Sequence, residues 1–277
     1  LNYRHIYHAG NFADVFKHSV LALILKLLAA KDKPFCYIET HAGAGRYDLE
    51  SEAAKKSGEW RDGIARLWEG EPIPEATDYL AAVRALNHDG LRYYPGSPRV
   101  AAQLLRAQDR MVLCELVPDE AERLARDFAS DQRIVVRAQD GYPALKALLP
   151  PTERRGLVLF DPPYESAAEF AQALAALKAA HARWPTGVYA LWYPIKERAA
   201  TARFERDLAA SGIRKTLIAE LGAYPADSAF RLNGSGLAIV NPPFGLEAGL
   251  KRLIPWLHER LSRAAGSGWR AEWLVPE

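Results

Sequence analysis

Asp161-Pro162-Pro163-Tyr164 is the stretch whose residue types most clearly point to chemistry. Two consecutive prolines carry no backbone N–H and stiffen the chain. The loop therefore offers acceptors and hardly any donors: the Asp161 carboxylate and the Pro162 carbonyl. That pair suits the two N–H bonds of an exocyclic amino group. Tyr164 adds an aromatic face on which an unstacked base can rest, worth roughly 1–3 kcal/mol. A similar string, Asn241-Pro242-Pro243-Phe244, comes too late in the strand order to share the site and is read as structural.

Three further groups fit a bound adenosine-type cofactor. Thr40-His41-Ala42-Gly43-Ala44-Gly45 is a glycine-rich turn that lets backbone pass close to a ligand, although it lacks the complete dinucleotide fingerprint. Glu115 closes a later apolar run, where a carboxylate can accept from ribose hydroxyls. Asp140-Gly141 offers an acceptor for an adenine amino group beside a residue small enough for ring approach. Singly, such acids are more often solvated or capping residues; together with the glycine turn, Glu115 and Asp140 favour the cofactor. His5, His8, His18 and His41 lack a matching Cys or a helical His-x-x-x-His pair, so no metal is expected. Lys17 beside His18 is a candidate substrate contact; Arg46, Arg61, Lys55 and Lys56 read as ordinary surface cations.

The elements that must position these groups alternate in type. Apolar spacing predicts a helix over 13–30, then a strand over 35–38 ending in the glycine turn. Residues 49–96 lack a convincing strand and read as a small helical insertion, closed by the turn formers Tyr94-Pro95-Gly96-Ser97-Pro98. From there helices (100–107, 119–130, 142–149, 167–181, 199–211) alternate with strands (110–114, 133–137, 156–160, 187–193, 214–221, 235–240). This predicts an α/β chain with a Rossmann-like, doubly wound parallel sheet, formed by residues 1–48 and 97–277 and interrupted by the insertion. Thr40 and His41, Glu115, Asp140 and Asp161 then fall at the carboxyl ends of four successive strands, where open α/β sheets bind ligands.

The 277 residues, 49% of them hydrophobic, suffice for a sizeable core. A net charge of +2 permits a nucleic-acid partner without demanding one. Two cysteines, Cys36 and Cys114, lie in apolar runs and read as reduced core thiols. The most apolar stretch, Val20 to Ala30, contains Lys26 and falls short of the roughly 20 residues a bilayer span needs. No secretory leader is read, so the expectation is a soluble, cytoplasmic protein without a membrane partner.

Taken together these motifs resemble amino-methyltransferases of the Rossmann-like class, which share an [Asp/Asn]-Pro-Pro-[Tyr/Phe] loop. Tyr3-Arg4-His5, His8-Ala9-Gly10-Asn11, Ala13-Asp14-Val15 and Lys17-His18 narrow the resemblance, as do the block Thr40 to Tyr47, Tyr94 to Pro98, and Ala190-Leu191-Trp192-Tyr193-Pro194. The whole chain is similar to the bacterial 23S ribosomal RNA adenine-N6 methyltransferases of the large-subunit methyltransferase J family. That resemblance implies S-adenosyl-L-methionine as methyl donor and 23S ribosomal RNA as partner; a monomer is the separate expectation for the assembly. The resemblance places His18, His41, Ser97, Glu115, Asp140, Gly141 and Asp161 at the cofactor, with Asp161 also the proton acceptor, and the glycine turn adds Gly43 there. The same resemblance places Tyr3 on the RNA side, with Lys17 in the same block, and the loop reading adds Pro162 and Tyr164 as substrate contacts. Methylation of guanine N2, DNA adenine or a glutamine side chain, and a silent RNA-binding assembly role, remain the alternatives.

Overall fold

The computed structural model describes residues 4–166, 168–226, 228–229 and 232–277; Tyr3 lies outside them. The helix expected over 13–30 is α1, Phe12–Ala29, which starts where the Asn11 side chain accepts from the Asp14 amide at 3.0 Å. Nearly every α1 side chain is buried, because α4 (Thr77–Arg84), α5 (Ser97–Leu104) and α10 (Leu246–Leu261) all pack against it. An all-round apolar helix requires such enclosure.

Eight strands form the main sheet: β1 (Cys36–Glu39), β4 (Arg110–Glu115), β5 (Ile134–Ala138), β6 (Gly156–Phe160), β7 (Val188–Ile195), β8 (Thr216–Gly222), β9 (Gly234–Val240) and β10 (Trp269–Val275). Their order across the sheet is β10-β8-β9-β7-β6-β1-β4-β5. Cys36 aligns with Arg110 on one side and Gly156 on the other, both pairings parallel. The chain leaves β1 outward through β4 and β5 and returns on its other flank with β6, so a crevice opens above β1 and β6. The connecting helices are α6 (Pro118–Asp127), α7 (Gly141–Leu148), α8 (Glu169–Arg183) and α9 (Arg198–Ala209).

The sheet departs from the expected all-parallel form at one end. β9 runs antiparallel to both β7 and β8, and β10 antiparallel to β8. Alternation of element types cannot disclose this, since β8 and β9 follow one another without a helix. β10 and α10 were not read from the sequence; Gly245, Gly249 and the internal Pro255 blur the helical signal. The antiparallel direction of β9 also carries Asn241-Pro242-Pro243-Phe244 to the rim opposite the crevice. There the Asn241 side chain donates to the Pro185 and Gly187 carbonyls, both at 2.8 Å, and Phe244 stands fully in solvent.

The stretch 49–96 holds α2 (Glu52–Ser57), α3 (Ala65–Trp68) and α4, together with one strand that was not expected. β3 (Tyr93–Pro95) pairs antiparallel with β2 (Arg46–Asp48). Tyr94 and Pro95 therefore belong to a strand, and Ser97 and Pro98 open α5, where proline is favoured. Ile64, Leu67, Tyr79, Leu80 and Val83 join the same apolar cluster as α1, so this stretch packs into one core with α1. Cys36 and Cys114 are buried free thiols, pushed by burial up to about 12 and about 11. Among the described residues no helix is long and apolar enough to cross a membrane.

Candidate active site

A cavity of about 1910 Å³ lies over the carboxyl ends of β1, β4, β5 and β6. Every cofactor and substrate candidate within the described residues lines it: Lys17, His18, His41, Gly43, Ser97, Glu115, Asp140, Gly141, Asp161, Pro162 and Tyr164.

The cofactor half is built from backbone as much as from side chains. Gly43, at φ +64°, turns its amide toward the Glu115 carboxylate at 2.8 Å, and the other Glu115 oxygen accepts from the Val117 amide at 2.8 Å. These two bonds fix the carboxylate while leaving lone pairs toward the cavity. Asp140 caps α7 through the Tyr142 amide at 2.9 Å, using one oxygen and leaving the other exposed. Gly141 is enforced by packing: a Cβ there would lie 2.2 Å from the Thr40 carbonyl oxygen. The Tyr142 hydroxyl is buried and has no partner among the described residues. An oriented acid, a second acid with a free oxygen, a glycine-walled floor and an orphaned hydroxyl fit a nucleoside-type ligand.

Of the histidines lining the cavity, His18 and His41 are neutral at ordinary pH. Burial lowers His18 to about 3 against the pull of Asp14, while its Nδ1 pairs with the Tyr94 hydroxyl at 2.9 Å. Burial likewise lowers His41 to about 4 against Asp161 and Asp140. Among the described residues no group of three or more His, Cys, Asp or Glu side chains is arranged to hold a metal ion.

The other half centres on Lys17. Its ammonium lies 2.5 Å from Asp161 Oδ2 and 3.2 Å from Asp14 Oδ1, with its side chain only 5% exposed. Burial opposes this charge, but the two carboxylates outweigh it and raise Lys17 above the usual lysine value. Asp14 also accepts from His5 Nε2 at 2.8 Å and the Gly10 amide at 3.0 Å; burial would raise its pKa, but His5 and Lys17 outweigh burial and hold its carboxyl well below the usual carboxylate range. Asp161 Oδ1 and the Pro162 carbonyl accept no hydrogen bond from the described residues.

Tyr164 is placed differently from expectation. Its ring is 6% exposed, packed against Phe170 and Trp192, and its hydroxyl donates to the Trp192 carbonyl at 2.8 Å. These contacts hold the residue at φ +50°, a region that costs a non-glycine residue roughly 1–2 kcal/mol. Trp192 is a half-buried aromatic of the wall, anchored by its indole N–H to Ser235 Oγ at 2.8 Å, with the Lys17 ammonium 5.3 Å from its ring centre. Asp14 and Trp192 had no role assigned from sequence. The acid–x–x–Lys spacing inside an apolar helix was the available signal for Asp14; Trp192 sits mid-strand, where an aromatic residue ordinarily signals core.

The chain that builds this site has known counterparts. The family model described as "RsmJ: Ribosomal RNA large subunit methyltransferase D, RlmJ" matches residues 32–275. The chain belongs to the RlmJ family of ribosomal RNA methyltransferases. It is 46% identical to ribosomal RNA large subunit methyltransferase J of Escherichia coli K12 and 44% identical to that of Haemophilus influenzae Rd, each over the full length of both chains. The crystal structure of protein LPL1258 from Legionella pneumophila superimposes with a TM-score of 0.88 at 37% identity, covering 96% of this chain and 98% of that one. In this RlmJ-family chain the resemblance drawn from sequence motifs therefore holds for family and fold.

Proposed function

We propose that the protein transfers a methyl group from S-adenosyl-L-methionine to the exocyclic N6 of an adenine in 23S ribosomal RNA. The observation that carries this is the pair of unsatisfied acceptors, Asp161 Oδ1 and the Pro162 carbonyl, at the tip of β6 in the cavity that also holds Glu115 and Asp140. Family membership supplies the reaction class; the acceptor pair favours an –NH2 group as its target.

Sheet order distributes the cofactor's parts. Glu115 and Asp140, on β4 and after β5, suit the ribose and adenine. His18, His41 and Ser97 then lie toward the methionine end, above β1. The cofactor supplies an electrophilic methyl carbon. The chain's own contribution is to hold the nucleophile and shape its charge. An adenine amine is a poor nucleophile because its lone pair is delocalised into the ring. Accepting both its N–H bonds at Asp161 Oδ1 and the Pro162 carbonyl favours a pyramidal nitrogen and disperses the developing positive charge. Lys17 fixes the opposite oxygen, Oδ2, so Asp161 presents Oδ1 without rotating. The proton shed by the amine passes to Asp161 Oδ1, already in hydrogen-bond contact. Trp192, with Tyr164 buttressing it, is the face against which the unstacked base lies.

The test is methyl transfer from labelled donor to an unmodified 23S transcript, followed by nucleoside and position mapping. The expected product is N6-methyladenosine, and Asp161→Ala is expected to abolish it with the fold retained. Label on guanine or on DNA, or near-normal turnover by Asp161→Ala, would overturn the reading.

A further inference from the structure

Glu39, the last residue of β1, is wholly buried (0% exposed) and lies beneath the cavity floor. Ser97 Oγ donates to Glu39 Oε1 at 2.5 Å, and the Tyr37 hydroxyl donates to Glu39 Oε2 at 2.8 Å. Ser97 lines the cavity above it. A serine hydroxyl has one proton. With that proton directed down to Glu39, Ser97 turns only lone pairs toward the ligand. It then pairs with a donor and repels an anion.

We infer that Glu39 is a positioning residue that sets the polarity of Ser97, making it an acceptor for the α-ammonium group at the methionine end of the cofactor. The inference rests on the proposed function, since it takes the cofactor's amino-acid end to lie above β1. Glu39 touches no ligand itself and acts through the Ser97 hydroxyl.

The charge on Glu39 decides the direction of that hydrogen bond. Ionised, it accepts from both Ser97 and Tyr37. Protonated, it must donate to one of them; donation to Ser97 frees the serine proton to point into the cavity as a donor. Burial pushes Glu39 up to about 8, helped by the Asp161 carboxylate and resisted by Ser97, Tyr37 and Lys17. The groups that face it from neighbouring elements are Tyr37 on its own strand, Lys17 on α1, Cys114 on β4, Ser97 on α5 and Asp161 after β6. Tyr37, Lys17 and Cys114 are all held above their ordinary values, so they keep one charge state between pH 6 and 8. A cationic ligand group therefore binds with loss of the Glu39 proton, and affinity rises with pH up to about 8.

The experiment is titration calorimetry of the full chain with S-adenosylhomocysteine and with its analogue lacking the α-amino group. Wild-type protein is expected to prefer the parent compound by on the order of tenfold, the value of one charge-assisted hydrogen bond. Its affinity for the parent should strengthen by about fivefold in total from pH 6 to 8, within the limit that this preference sets. Glu39→Gln, which preserves shape, should lose most of the preference and flatten the pH profile. Ser97→Ala should lose the preference too, and adding Glu39→Gln to it should change nothing further. An undiminished amino preference in Glu39→Gln, or equal effects of Glu39→Gln with and without Ser97, would overturn the inference. Equal binding of both compounds by wild type would overturn it while leaving the proposed function standing. Binding of neither would remove the parent reading itself.

Discussion

Replacing Lys17 by methionine tests whether the buried charge triad holds Asp161 in its working orientation. Lys17 is the only cation within 4.0 Å of Asp161 among the described residues, and it is shared with Asp14. Methionine keeps much of the apolar stem but leaves two nearly buried carboxylates facing one another. Removing one partner of a buried ion pair costs about 3–5 kcal/mol. Asp14 retains His5 and the Gly10 amide, so about 3 kcal/mol is the expected loss. For a chain of this size that corresponds to a drop of roughly 5 °C in Tm, read by differential scanning calorimetry. Methyl transfer should fall by on the order of a hundredfold, because Asp161 is no longer fixed, while S-adenosylhomocysteine affinity stays near the wild-type value. The double variant Lys17→Met/Asp161→Asn removes the stranded charge and should regain part of the lost Tm, although it stays inactive. A single variant as stable as wild type, or a double variant no more stable than the single, would refute the reasoning.

Trp192→Leu should raise KM for RNA about tenfold, the loss of one base stack, with cofactor affinity unchanged by calorimetry. Gly141→Ala forces a methyl group onto the Thr40 carbonyl and should cost about 1–3 kcal/mol in urea unfolding, together with weaker S-adenosylhomocysteine binding. His18 stays neutral down to about pH 3 when folded, but binds a proton near pH 6.5 when unfolded. Its folded value is thus depressed, the unfolded state takes up the extra proton, and stability is complete above pH 6.5 and declines as pH falls toward 3. The decline should approach about 1.4 kcal/mol per pH unit. Urea midpoints between pH 7.5 and 5 measure it, and His18→Gln should flatten that share of the slope.

Much of the site could be read from sequence because strand ends and loop residues carry their chemistry locally. Asp161-Pro162-Pro163 needs only a preceding apolar strand to be recognised, and Glu115 and Asp140 need only the alternation that places them on one rim. Asp14, Glu39 and Trp192 could not be read this way. Their importance comes from partners far along the chain: Glu39 meets Ser97 across 58 residues, and Asp14 meets Asp161 through a shared lysine. Tyr164 shows the converse. Its residue type suggested an open stacking face, and only the packing of Phe170 and Trp192 shows that the ring is enclosed. In the fold, local pattern predicted the parallel half of the sheet, whereas the direction of β9 depends on pairing partners that no local window contains.

The two buried thiols have a practical consequence. Cys36 and Cys114 are the chain's whole cysteine complement, and both are enclosed and held protonated. A maleimide or nitroxide reagent should therefore pass over the native chain at neutral pH, since the thiolate is the reacting species. One engineered cysteine on the outer surface, for example at Phe244 far from the crevice, becomes a selective attachment point for a fluorophore. Movements upon RNA docking can then be followed by spectroscopy without first stripping native sulfur from the core.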